Sequence, residues 1–291
     1  MTVLVRPVHA IPKVCTELWY NVGSKYEKSD QKGIAHLIEH MIFKGTSGNK
    51  SLNLSESDIN VVVHMLSGNC NAFTSYDYTG YLFNFPTQHW QMSLKIVADC
   101  MRNCAFKEDH LNSEMKAVIQ ELKMYKDNYV SYLVDEMLAT IFTGHPYHDP
   151  VIGYKQNLWS FHAENLRDFY IKHYVPNNAT LVVVGDVDPE KVFDEAQAEF
   201  GSIPADYTYT QEKFYYTPDL ISKKVTLYRD VQQPVATAAY VIPGSTSGKD
   251  NIVDLLSWVL GHGKGSRLQR RLVDDLQLVT SLDVYHIDLF D

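Results

Sequence analysis

Long hydrophobic runs, surplus positive charge and cysteine are what this sequence has least of, and each shortage excludes something. A membrane-spanning helix needs about 18 consecutive apolar residues, whereas the densest apolar stretches, 180–184 and 235–242, are only of strand length. Lys and Arg number 26 against 35 Asp and Glu, a net charge of −9 with a pI near 5.7. Neither nucleic acid nor an anionic membrane surface attracts such a chain. Residues 1–15 contain Arg6, Pro7 and His9 and no long apolar core, which argues against a secretory signal peptide. The four cysteines, Cys15, Cys70, Cys100 and Cys104, are too few for a disulfide framework at this length. Cys100 and Cys104 fall on one predicted helix. A metal pair there would need further ligands, with His110 as one candidate; plain reduced core packing is the simpler reading. The expectation is a soluble protein of a reducing compartment, cytoplasm or organelle matrix, with nothing that selects between them.

What is present is an ordinary globular balance, 45% hydrophobic and 21% charged over 291 residues, enough for about two domains. Strand-like and helix-like segments alternate. Strands are expected at 3–6 and 15–22, a helix at about 30–44, a second helix at 55–66, and paired strands over 69–85 from their two-residue alternation. Helices follow at 90–103, 109–126 and 132–142. A break at Gly144, His145 and Pro146 precedes a helix at 159–173, a buried strand at 180–184, and a helix at 189–200 with proline at its start. The fold class is α+β: a mixed β-sheet flanked by helices.

Residues 204–221 lack periodicity and read as a linker. Beyond them the chain resembles its own beginning. Residues 225–229 echo 3–6, residues 235–245 echo 14–24 at a constant offset of 221, and a helix at 252–260 falls where the 30–44 helix maps. The expected organisation is therefore a first domain over 1–203 and an incomplete second copy of the same α/β domain over 222–291. Independent similarity of short apolar strands is the alternative.

The sharpest feature is H-x-x-E-H at His36, Glu39 and His40. At about 100° per residue, Ile34, Leu37, Ile38, Met41 and Ile42 form one apolar stripe. The two histidines and Glu39 then share the opposite face. Imidazoles at i and i+4 can converge on one metal ion, and such a set suits zinc. The plain alternative is a solvated face with two incidental histidines. On the 109–126 helix, Glu114 and Glu121 lie seven apart, hence about 20° apart in angle, at the border of the stripe of Met115, Val118, Ile119 and Leu122. Carboxylates against a core need a cation or hydrogen-bond donors; zinc would be one such cation, nearby lysines another.

The segment from His36 to Thr46 closely resembles the inverted zinc-binding segment of the pitrilysin/insulinase metallopeptidases, most of all the mitochondrial processing peptidase-like type. The resemblance continues through 71–75, Glu114 to Glu121, 145–147, 173–177 and 185–188, and so covers the first domain; 261–268 and 276–281 resemble the family's second domain. It implies a metalloendopeptidase that hydrolyses extended oligopeptides or presequence-like segments. One Zn²⁺ per chain would be held by His36, His40 and Glu121. Glu39 would act as general base on a zinc-bound water, with Glu114 as the supporting acid, and Asn71, Ala72 and Phe73 would form a substrate-binding strand. For Asn71 a turn after Gly68 and Asn69 is the alternative. The spacing from His40 to Glu121 is slightly longer than is usual for the family, a surplus that falls in the polar loop from Ser47 to Glu56.

Family members enclose substrate with a second half, fused or supplied by a homologous chain. A homodimeric or heterodimeric partner is therefore implied, with no nucleic acid and no membrane span. Two rival readings are a truncated or partner-dependent subunit without activity alone, and a non-catalytic structural subunit. In the second copy Ser257, Leu260 and Gly261 fall at the positions of His36, Glu39 and His40, so that copy lacks the motif. The glycines of 244–248 are too closely spaced for a phosphate loop. His64, His89, His110, His162 and His262 lack partners at ligand spacing and are read as surface or packing residues.

Overall fold

The computed structural model describes residues 1–48, 51–214 and 222–290. The chain forms two compact units, one of Met1–Glu212 with Ser222–Thr237, the other with described residues in 213–214 and 238–290.

The first unit is built on five strands: β1 (Thr2–Pro7), β2 (Lys13–Tyr20), β3 (Asn69–Thr74), β4 (Thr79–Pro86) and β5 (Ala179–Gly185). Their order is β1-β5-β2-β4-β3, with β1 parallel to β5 and every other pair antiparallel. Alternation assigns the faces. Val14, Thr16, Leu18 and Tyr20 of β2, Tyr81 and Phe83 of β4, and Leu181 and Val183 of β5 are buried. Cys15, Glu17 and Trp19, on the other face of β2, are half-buried. The strands are contacted by α1 (Ile34–Ile42), α2 (Glu56–Met65), α3 (Trp90–Asn103) and α8 (Pro189–Phe200); α4 (Glu108–Asp127) and α7 (Ala163–His173) pack on α1, and α5 (Tyr129–Ile141) and α6 (Lys155–Leu158) on α4. The α+β class expected from the sequence is the one observed.

Most boundaries fall within three residues of expectation, and two helix starts differ by more. α1 begins at Ile34 rather than near residue 30, because Gly33 has φ of 96°, a left-handed value that stops the helix from extending backward. The expected 159–173 helix starts only at Ala163, as α7, and residues 159–162 separate it from the short α6 before it. The N–H of His162 donates to Asn165 Oδ1 at 2.9 Å, starting α7 anew, and Phe161 is buried between them. The polar loop after α1 is anchored by buried Asp99, whose Oδ2 accepts from Thr46 Oγ1, Ser51 Oγ and the N–H of Leu52.

In the second unit the expected helix forms as α9 (Asp250–Gly261). The strand-like stretch at 235–242 does not form a strand, and neither does the echo of β1 at 225–229, whose residues group with the first unit. A strand is defined by its ladder partners, and none of these segments pairs among the described residues. Part of the expected linker, 215–221, lies outside the described residues. A Cβ on Gly261 would come 2.2 Å from Val284 Cγ2, so any side chain there would force Val284 to shift. Among the described residues no helix is long and apolar enough to cross a membrane.

Candidate metal centre

Two helices create the site. Ile34, Leu37, Ile38, Met41 and Ile42 of α1 are at most 3% exposed. Burial worth about 1.5–3 kcal/mol per large aliphatic side chain fixes the helix's rotation and leaves His36, Glu39 and His40 on the remaining side. The helix start is held as well: the Glu27 carboxylate accepts from the N–H groups of Gly33 and Ala35, both at 2.8 Å. Gly153 closes on this turn, since a Cβ there would lie 2.3 Å from the Lys32 carbonyl oxygen. α4 packs across α1 through its buried stripe of Leu111, Met115, Val118, Ile119 and Leu122, which brings Glu114 and Glu121 to the motif.

One ligand atom from each of His36, His40 and Glu121 lies within 4.8 Å of the others. His36 Nε2 is 3.8 Å and His40 Nε2 3.6 Å from Glu121 Oε2. Donors bonded to a tetrahedral zinc at 2.0–2.2 Å stand about 3.3–3.6 Å apart, so the set fits after a small contraction. His40 Nδ1 is 3.2 Å from Glu114 Oε2, which leaves Nε2 for a metal. His36 Nδ1 is buried and has no hydrogen-bond partner among the described residues. Two imidazole nitrogens with one carboxylate oxygen match the donor preference of zinc.

Electrostatics agree with a cation-binding pocket. Burial, reinforced by neighbouring His40, holds the His36 pKa well below the ordinary histidine value, against the pull of Glu121; the neutral imidazole is the form that binds metal. Burial also pulls on His40, but the neighbouring carboxylates of Glu121 and Glu114 outweigh it and raise its pKa. Neighbouring His40 holds Glu121 below the usual carboxylate value despite its burial. Glu39 is shifted the other way, raised by burial against the hydrogen bond from Thr74 and the charge of His40. An acid with raised pKa beside a metal-type cluster is suited to take up a proton.

Among the described residues β3 is an edge strand, paired with β4 on one side. Its pairing puts Ala72 opposite Tyr81 and Thr74 opposite Thr79 on the helix-covered face, and Asn71 opposite Leu82 and Phe73 opposite Gly80 on the other. Asn71 lies in the strand. Phe73 makes edge contacts with Trp19 and Tyr78, centroids 5.3 and 6.1 Å away. Thr74 Oγ1 donates to Glu39 Oε2 at 2.6 Å.

Three residues at the site were not singled out from sequence: Thr74, Lys44 and Glu27. Strand alternation gives Thr74 its face, but no sequence signal pairs it with Glu39. A second cluster of possible ligands, Asp250, His286 and Asp288, lies in the second unit. There Asp288 is exposed and His286 Nδ1 is already 3.0 Å from Asp254 Oδ1. The four cysteines are free, and Cys104 Sγ contacts the Met41 carbonyl at 3.7 Å.

A sheet with helices on one face, an H-x-x-E-H helix and a crossing acidic helix beside an edge strand together define the class of inverted-motif metallopeptidase domains. Within it this chain belongs to the insulinase family, peptidase family M16: the family model matches residues 3–155, and the model of the M16 inactive domain matches 160–290. Zinc protease PqqE of Helicobacter pylori is 30% identical over 283 residues, covering 94% of this chain and 62% of that protein. The probable mitochondrial-processing peptidase subunit beta of Arabidopsis thaliana is 27% identical over 266 residues, 88% of this chain and 49% of that one. The crystal structure of a protease from Helicobacter pylori superposes with a TM-score of 0.80 at 28% identity, covering 99% of this chain and 70% of that one. This chain thus spans less than two thirds of the length of these two sequence relatives.

Proposed function

We propose that this chain is the metal-bearing part of a zinc metalloendopeptidase that hydrolyses extended peptides or presequence-like segments. His36, His40 and Glu121 would hold one zinc ion per chain, and Glu114 would orient His40. Zinc held there would supply Lewis acidity and would make a nearby water more acidic. Glu39 takes the proton of the attacking water and returns it to the leaving amine, first base and then acid. Thr74 orients Glu39 meanwhile. The free edge at Asn71, Ala72 and Phe73 holds the substrate backbone as an added strand, which sets its direction across the helix. The domain division at 203 and 222 belongs to the same reading.

The observation that carries the proposal is the convergence of three ligand atoms within 4.8 Å with Glu39 on the same helix face. The test combines zinc analysis with cleavage of an extended peptide by wild type and Glu39→Gln. Folded protein without zinc removes the site assignment. One zinc and cleavage lost only in Glu39→Gln supports it.

A second reading, a subunit active only beside a homologous second chain, is favoured by the relative named as a subunit beta. Under it, wild type binds zinc but cleaves only after the partner chain is added.

A further inference from the structure

Glu114 uses its two oxygens for two different partners. Oε2 stands 3.2 Å from His40 Nδ1 and Oε1 2.8 Å from Lys44 Nζ. The same ammonium reaches Glu56 Oε1 at 2.6 Å. Lys44 follows the end of α1, Glu56 opens α2, and Glu114 lies on α4. A line of charge-assisted bonds therefore crosses three helices and ends on a candidate metal ligand.

We propose that Lys44 is a positioning residue of the metal centre, acting on His40 through Glu114. The inference rests on the zinc reading given above.

Glu39, Glu114 and Glu121 bring three carboxyl groups to two histidines, yet only Glu121 belongs to the cluster of ligand atoms. A carboxylate with both oxygens free beside a divalent cation is itself a candidate ligand. Lys44 engages one oxygen of Glu114 and offsets its charge, which leaves the other oxygen for His40 Nδ1–H. A histidine so engaged presents Nε2 in a fixed direction, the usual device by which outer partners set metal affinity. The side chains of Lys44 and Glu114 are only 18% and 14% exposed, so their pairing is screened less than a surface bridge. Burial works against the ammonium of Lys44, but its hydrogen bonds to Glu114 and Glu56 prevail and raise its pKa. Glu56, 44% exposed, is the solvent end of the line.

Zinc affinity, measured by chelator competition on the full chain, tests the proposal. The proteins compared are wild type, Lys44→Met, Lys44→Arg, Glu114→Gln and the Lys44→Met/Glu114→Gln double variant. Circular dichroism of each metal-free protein checks folding, and ¹⁵N-histidine spectra report the His40 tautomer. Lys44→Met is expected to weaken zinc binding about 10- to 100-fold, the range for losing an outer partner of a metal histidine, and to lose the single Nδ1–H tautomer. Lys44→Arg, which keeps charge and reach, recovers both. The double variant binds zinc no more weakly than Glu114→Gln alone, because Lys44 acts only through Glu114. If Lys44→Met does not fold, Lys44→Gln takes its place.

Unchanged affinity in the folded Lys44 variant overturns the proposal while leaving the zinc site standing. Losses that multiply in the double variant overturn the path through Glu114. Absence of zinc from folded wild type overturns the zinc reading and this inference together.

Discussion

Thr74, the last residue of edge strand β3, donates a 2.6 Å hydrogen bond to Glu39 of α1. The strand expected to receive substrate and the acid expected to move the proton are thereby joined side chain to side chain. Hydrogen bonds to charged groups contribute about 1.5–3 kcal/mol. Thr74→Val should therefore lower kcat about tenfold or more, with zinc content unchanged, and Thr74→Ser should restore it. Steady-state kinetics with metal analysis decides; an unchanged kcat in Thr74→Val refutes the role.

Glu39→Gln should retain stoichiometric zinc, since Glu39 lies outside the cluster of ligand atoms. Cleavage should fall about 10²- to 10⁴-fold, the usual contribution of a general acid–base group. Zinc loss comparable to that of His36→Ala would mean that Glu39 is a ligand instead.

Removal of metal should lower thermal stability. A ligand that binds only the folded state adds about 2.7 kcal/mol at 100 times its Kd. Scanning calorimetry with chelator and with added zinc should show a rise in Tm for wild type, and none for His40→Ala or Glu121→Gln. Equal rises in all three would place the stabilising metal elsewhere.

His173 gives a pH dependence of definite sign. Burial, with the neighbouring charge of Lys172, lowers its pKa to about 4 in the folded protein, against about 6.5 when unfolded. The fold thus favours neutral imidazole, and its contribution is complete above pH of about 6.5 and lost as pH falls toward about 4. Denaturant unfolding of metal-free protein between these limits should show stability declining with acid. His173→Phe, whose ring can keep the tilted contact with Phe169 (centroids 4.5 Å apart), should decline less steeply. Parallel curves would count against it.

Gly153→Ala tests the anchor under α1. Gly153 has φ of 75°, and its Cβ would meet the Lys32 carbonyl oxygen at 2.3 Å. A backbone shift is unavoidable, at a cost of about 1–3 kcal/mol, and it bears on the turn that starts the metal helix. Equilibrium unfolding measures the first effect and zinc affinity the second.

Much of the first unit was legible in the sequence. β3 and β4 follow from alternation over 69–85, β5 from its apolar run, and α4 from the stripe of Met115, Val118, Ile119 and Leu122. The misreadings share a cause. A periodic pattern does not reveal that Gly33 takes a left-handed φ, or that Asn165 receives the His162 N–H and starts a new helix. The apolar pattern at 235–242 likewise encodes the capacity for a strand, while strand formation requires a neighbour to pair with.

Sequence alone determined which side chains share a face, because helix and strand periods are local properties of the backbone. That put His36, Glu39 and His40 together opposite an apolar stripe, and Glu114 with Glu121 on another helix. Only the tertiary structure decided which oxygen meets which nitrogen: Glu121 against both Nε2 atoms, Glu114 against His40 Nδ1 and Lys44, Thr74 against Glu39. Those contacts join residues far apart in the chain, and their distances are set by how α1, α4 and β3 bury their apolar sides against one another, which no local period encodes.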